Sequence, residues 1–122
     1  MELVEKIARA VANSSPVSFA AMMSRRKAAP ATIPRQMAMF LARKLTSCSS
    51  TEIGEFFDRD HSTVLHAEAL IEKRFGLDHV LEQTGTRWLR PDIHFEALRD
   101  AVQNAAEIGF GALESMYRKE AA

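Results

Sequence analysis

An all-α fold is predicted by three observations. Apolar residues recur at spacings of three and four along most of the chain, and no segment alternates apolar with polar residues as a half-buried strand would. Apolar residues make up 47% of 122, enough for one compact domain with a modest core. The expected architecture is a multi-helix domain containing a helix-turn-helix, followed by an extra C-terminal amphipathic helix.

Leu3, Val4, Ile7, Ala8 and Val11 form the first apolar stripe, and Asn13-Ser14-Ser15-Pro16 breaks it, so a first helix ends near Asn13. Val17 to Met23 reads as a short second helix that gives Phe19, Met22 and Met23 to the core. Ser24 to Ile33 reads as a basic loop holding Pro30. Pro34 suits the first turn of a third helix, because its fixed φ is already helical and its missing N–H had no partner there. That helix is expected to run to about Thr46, with Met37, Phe40, Leu41 and Leu45 inward and Arg35, Arg43 and Lys44 outward. Its cationic end complements the helix dipole. The methionine pairs Met22-Met23 and Met37, Met39 read as core filling, ahead of a promiscuous binding surface.

Ser49-Ser50-Thr51-Glu52 has the spacing of a capping box, in which the serine hydroxyl and the glutamate carboxylate each satisfy an orphan backbone donor. A short fourth helix carrying Ile53, Phe56 and Phe57 starts there and stops near Asp58-Arg59. Asp60 is a favourable N-cap for a fifth helix from His61 to Phe75, whose apolar face holds Val64, Leu65, Ala67 or Glu68, and Ile71. Gly76 can end it, and Leu77 to Gln83 adds a short helical piece. Thr84 to Pro91 reads as a loop around Trp88, and a long helix spans Asp92 to Arg118. The stripe of that last helix, from Phe95 and Leu98 to Met116 and Tyr117, needs a partner surface. Residues 1–75 are thus expected to form the helix-turn-helix domain, and residues 76–122 an extension that packs on it or mediates self-association.

Sixteen Lys and Arg balance sixteen Asp and Glu, which gives no support to a non-specific polyanion binder. The distribution is uneven. From Ser24 to Lys44 there are six basic residues and no acidic one, whereas Gly76 to Ala122 holds eight acids against five bases. The positive field is concentrated where it could steer a polyanion. The single cysteine, Cys48, excludes an intramolecular disulfide and suits a reducing compartment. No stretch approaches the roughly 18 uninterrupted apolar residues of a membrane span, and Met1-Glu2 lacks the basic start of a secretory signal. The expected location is cytoplasmic.

A short capped helix, a tight turn and a second helix opening with polar side chains is the arrangement that presents a helix N-terminus to base edges. Asp60 can accept from a cytosine amino group, His61 can bond a base edge or pack on a thymine methyl, and Ser62 and Thr63 can bond phosphates or bases. Upstream, Arg25, Arg26 and Lys27 sit in a loop able to enter a minor groove. The bland alternative for His61 is a solvated helix N-terminus, and for His66 a satisfied core histidine; His79 and His94 read as surface residues. His61 and His66 are five apart, which does not superpose two metal ligands on one helical face, and Cys48 has no second cysteine nearby. Asp60, His61 and Ser62 name the members of a catalytic triad but are consecutive, so their side chains diverge and no enzyme is indicated.

The run Pro34-Arg35-Gln36-Met37-Ala38-Met39, with Leu41-Ala42, Leu45-Thr46, Glu52-Ile53-Gly54 and Arg59-Asp60-His61-Ser62-Thr63-Val64-Leu65-His66-Ala67, resembles the C-terminal DNA-binding domain of the bacterial replication initiator DnaA. The match covers about Leu3 to Arg74. The resemblance implies a Trp-repressor-like helical fold whose recognition helix lies in the major groove of a DnaA box of the TTATNCACA type, while the basic loop reads the adjacent minor groove. On that footing Asp60, His61 and Ser62 contact bases, Thr63 assists at a base or phosphate, and Lys27 takes the minor-groove position with Arg25 and Arg26 beside it. Arg35, Gln36, Lys44 and Arg59 are expected along the DNA backbone, and His66 is expected deeper, supporting packing.

The chain departs from the family pattern in four places. Lys27 stands where the family usually has Arg, Ser62 where it has Thr, Ser50-Thr51 where it has Leu-Pro, and the turn at Asp58-Arg59 is one residue shorter and lacks the customary Gly pair. These changes bear on sequence preference more than on binding. No Gly-x-x-x-x-Gly-Lys-Ser/Thr phosphate loop occurs, so no nucleotide cofactor is expected, and the chain is expected to be a stand-alone protein without ATPase rather than a complete initiator. The implied function is box-specific DNA binding that regulates replication initiation or transcription, in association with the nucleoid. The alternative is an interaction or homodimerisation domain that keeps the scaffold without box recognition.

Overall fold

The computed structural model describes residues 2–15, 17–24, 31–75 and 103. Five helices follow in order: α1 (Glu2–Asn13), α2 (Phe19–Met23), α3 (Thr32–Leu45), α4 (Ser50–Phe57) and α5 (His61–Phe75). No strand occurs among the described residues. Of the expected extension only Gln103 is among the described residues; the rest of its helix from Asp92 and the anchor at Trp88 lie outside them, as does the basic stretch Arg25, Arg26 and Lys27.

α3 is the axle of the domain and packs against all four other helices. Six consecutive residues, Met37 to Ala42, are fully buried. The stretch Met37 to Ala42 has no polar side chain on any side and so must lie inside, which is why α3 buries Ala38, Met39 and Ala42 beyond the inward set its periodicity predicts. Around it, Val4, Ile7, Ala8 and Val11 of α1, Met22 of α2, Ile53 and Phe57 of α4, and Val64, Ala67 and Ile71 of α5 close one continuous core. Met22, Met37 and Met39 are core residues, and Met23 packs against them from the edge.

Two boundaries differ from expectation for simple reasons. α3 begins at Thr32, two residues before Pro34, with Ala31 at the N-cap and no side-chain cap. Proline is tolerated anywhere in a first turn that needs no backbone donor, so it marks the turn and not the first residue. α2 is shorter than expected because Ser18 caps it, its hydroxyl accepting from the Ala21 N–H at 3.1 Å.

Arg35 corrects the expected outward set of α3. It is only 5% exposed, with Nε donating to the Met22 carbonyl at 2.8 Å and Nη2 to the Ser24 carbonyl at 2.9 Å. Burial, and then the charge of Arg59, lower its proton affinity. His66 corrects another expectation, because it is exposed: α5 buries 64, 67 and 71, which turns position 66 to the opposite face.

Candidate nucleic-acid interface

The site is built on the joint between α4 and α5. Ser49 starts α4 with both halves of a capping box, its hydroxyl accepting from the Glu52 N–H at 3.1 Å while the Glu52 carboxylate accepts from the Ser49 N–H at 3.1 Å. At its other end α4 closes with a Schellman pattern. The Arg59 N–H reaches the Gly54 carbonyl at 2.8 Å and the Asp58 N–H reaches the Glu55 carbonyl at 3.2 Å, with Asp58 left-handed at φ 55. Asp58 thus supplies the left-handed residue that closes this turn.

Gly54 sets how tightly the elbow folds. A Cβ there would lie 2.6 Å from the Arg59 carbonyl oxygen and 3.3 Å from the Asp60 carbonyl carbon, so the turn passes directly over the helix. Phe57 and Ile53 below and Val64 above are buried, which fixes the two helices on the core.

Beyond this elbow, Asp60, His61, Ser62 and Thr63 are all exposed, one after another. They brace each other. The Asp60 carboxylate accepts from the Ser62 hydroxyl at 3.0 Å and lies 2.9 Å from His61 Nδ1. The Ser62 hydrogen bond, more than the neighbouring imidazole, holds the Asp60 carboxyl below the usual carboxylate range. An ionised acceptor and an imidazole with its outer nitrogen directed away from Asp60 are thus presented side by side.

The expected backbone-contacting residues occupy different environments. Arg59 donates through Nη1 to the Phe57 and Asp58 carbonyls at 3.1 and 3.2 Å, and through Nη2 to the Ser24 carbonyl at 2.9 Å. Thr32, Arg35, Gln36, Met39, Arg59 and Thr63 line an open pocket of about 320 Å³ between the start of α3 and the α4–α5 turn. Gln36 Oε1 is buried without a hydrogen-bond partner. Lys44 is 3.4 Å from Glu68, which also accepts from Arg43 Nε at 2.9 Å.

Glu68 is the residue whose importance the sequence hides. Partial burial opposes its ionisation, but the Arg43 hydrogen bond and charge, with the charge of Lys44, outweigh it and hold its carboxyl below the ordinary value. Its position in α5, offered above as an alternative to Ala67 on the apolar face, was the available signal. It joins α3 to α5 by charge where Ala67 joins them by packing.

A family model described as the bacterial DnaA protein helix-turn-helix matches residues 4–71. Among curated relatives, the chromosomal replication initiator protein DnaA of Paraburkholderia phymatum is 46% identical over 89 residues, covering 66% of this chain and 17% of the relative. The same protein of Methylacidiphilum infernorum is 41% identical over 81 residues, covering 66% and 18%. That of Treponema denticola is 40% identical over 81 residues, covering 66% and 17%. The chain spans less than a fifth of the length of these relatives.

Proposed function

Because the chain belongs to the family of bacterial DnaA helix-turn-helix domains, we propose that it binds double-stranded DNA at DnaA-box-like sites and acts in the control of replication initiation or of transcription. The observation that carries this reading is the run of four exposed polar side chains, Asp60 to Thr63, on the first turn of a helix whose other face is buried at Val64, Ala67 and Ile71. A helix so mounted can enter a major groove with its N-terminal residues toward base edges.

In this reading the Asp60 carboxylate accepts from a cytosine amino group, and His61 and Ser62 bond neighbouring base edges, with Thr63 at a base or phosphate. Arg25, Arg26 and Lys27 enter the minor groove. Gln36, Lys44 and Arg59 follow the backbone; Arg59 keeps N–H groups beyond those given to carbonyls, since a guanidinium has five. Arg35 leaves the contact set, because its donors are turned into the fold. The domain is a binding module without catalysis, and no helix among the described residues is long and apolar enough to cross a membrane. A cytoplasmic, nucleoid-associated protein is the matching location.

Fluorescence anisotropy with a duplex carrying a TTATNCACA-type box and a scrambled duplex of equal length, across salt concentrations, tests the reading. Tighter binding to the box at every salt concentration is expected. Equal affinity for the two duplexes would refute sequence-specific recognition.

A further inference from the structure

Glu68 lies on the side of α5 that leads back to the exposed first turn. His61, Leu65 and Glu68 are spaced four and three residues apart, so they form one stripe, with Glu68 two turns, or about 10 Å, beyond His61 along the helix axis. The stripe is open to solvent at His61 and Leu65 and half-buried at Glu68. Beside it stands the C-terminal end of α3, where the acid-free run from Ser24 to Lys44 finishes in Arg43 and Lys44. Glu68 Oε2 accepts from Arg43 Nε at 2.9 Å, and Glu68 Oε1 lies 3.4 Å from Lys44 Nζ, so each carboxylate oxygen faces one cation.

A carboxylate seated between an arginine and a lysine occupies the place that a phosphate would take, since both anions offer the oxygens that a guanidinium and an ammonium bind. The three side chains remain 22% to 31% exposed, which leaves the cluster open to a second anion. A partly exposed contact of this kind is worth a factor of about five at most, small enough for a duplex to exchange it. We propose that Glu68 limits the DNA affinity of the domain: it engages Arg43 and Lys44 in the free protein, a backbone phosphate must displace it from them, and the displaced carboxylate is left beside a polyanion. This inference rests on the DNA-binding reading and adds to it a residue that works against binding. The same contact joins α3 to α5, so Glu68 is expected to favour stability and oppose affinity.

The test is fluorescence anisotropy of the full chain on the box duplex and the scrambled duplex across salt concentrations. Glu68→Gln is expected to bind both duplexes about fivefold more tightly, and both alike, because phosphates carry no sequence. Its salt slope should steepen by about one, as for one more phosphate neutralised. Glu5→Gln makes the same change in net charge on α1, where Glu5 pairs with Arg9, and should shift affinity by less than about twofold. With Arg43 and Lys44 both replaced by Gln, Glu68→Gln should bring no gain.

Urea unfolding of the same variants gives the reading that a merely structural ion pair would not: Glu68→Gln less stable and yet tighter on DNA. Should Glu68→Gln not fold, Glu68→Ala removes the carboxylate with a better helix former and carries the same expectation. Unchanged or weaker binding by the variant overturns the proposal, as does a gain matched by Glu5→Gln, a gain confined to the box duplex, or a gain that survives the loss of Arg43 and Lys44. These outcomes leave the DNA-binding reading standing. An unaltered protein that binds neither duplex defeats that reading, and this inference with it.

Discussion

Asp58 holds a left-handed backbone that L-residues other than Asn, Asp and Gly rarely adopt, and it does so because two backbone hydrogen bonds close α4 around it. Asp58→Gly and Asp58→Ala both remove the carboxylate, so their difference isolates the cost of a Cβ at positive φ. Urea denaturation is expected to show the glycine variant more stable than the alanine variant by about 1 kcal/mol. Of the residues proposed to read base edges, His61→Ala and Asp60→Ala should each relax discrimination between box and altered-box duplexes by about 1 to 3 kcal/mol, read by competition anisotropy. Lys27→Ala should weaken all duplexes alike and reduce the salt slope by about one. Asp60 to Thr63 were legible in sequence as an exposed turn because the apolar positions of α5 start at Val64. Arg35 was not, since the carbonyls that claim it lie 11 and 13 residues upstream and leave no trace in the local pattern. His66 was readable in principle: the buried stripe at 64, 67 and 71 leaves position 66 on the far side, whereas the expectation of a core histidine followed from its placement within the family string.

At the level of helices, α4 is held at both ends by backbone satisfaction and at its middle by the absence of a side chain. Ser49→Ala removes one side of the capping box and should cost about 1 kcal/mol in thermal or urea unfolding. Gly54→Ala sets two effects against each other. Alanine is favoured over glycine within a helix by about 1 kcal/mol, but a Cβ 2.6 Å from a backbone oxygen forces the elbow open. Overpacking of this kind costs about 1 to 3 kcal/mol, and a net loss of stability with weakened box binding is expected. The Arg43, Lys44 and Glu68 contact ties α3 to α5 in a pH-dependent way. Its carboxyl is held below the ordinary 4.5, so the stabilisation is complete above that pH and is lost as pH falls through the folded value. Glu68→Gln should lower stability at pH 7 by about 1 kcal/mol, with the difference shrinking toward zero in acid. The capping box of α4 was readable from four residues, because its chemistry is local. The start of α3 was not, because Ala31 supplies no side-chain cap and nothing in the sequence marks the preceding residue.

For the molecule as a whole, α1 to α5 already share one closed apolar cluster built around α3. A chain ending at Phe75 is therefore expected to fold as a monomer and to bind the box duplex with near-native affinity, as checked by light scattering after size exclusion and by anisotropy. Loss of folding on truncation would instead make residues 76–122 part of the core, and a shift from dimer to monomer would make them the dimerisation element. The all-helical class was legible from periodicity because helical spacing is a property of each segment alone; the packing of α3 on every side depends on what the other four helices bring to it. The elbow at Gly54 carries one more consequence. With not even a methyl group's room between helix and turn, the backbone from Arg59 to His61 sits tightly on α4. On the DNA-binding proposal, this backbone would meet a duplex as a preformed shape, and the association rate is expected to fall as salt is added.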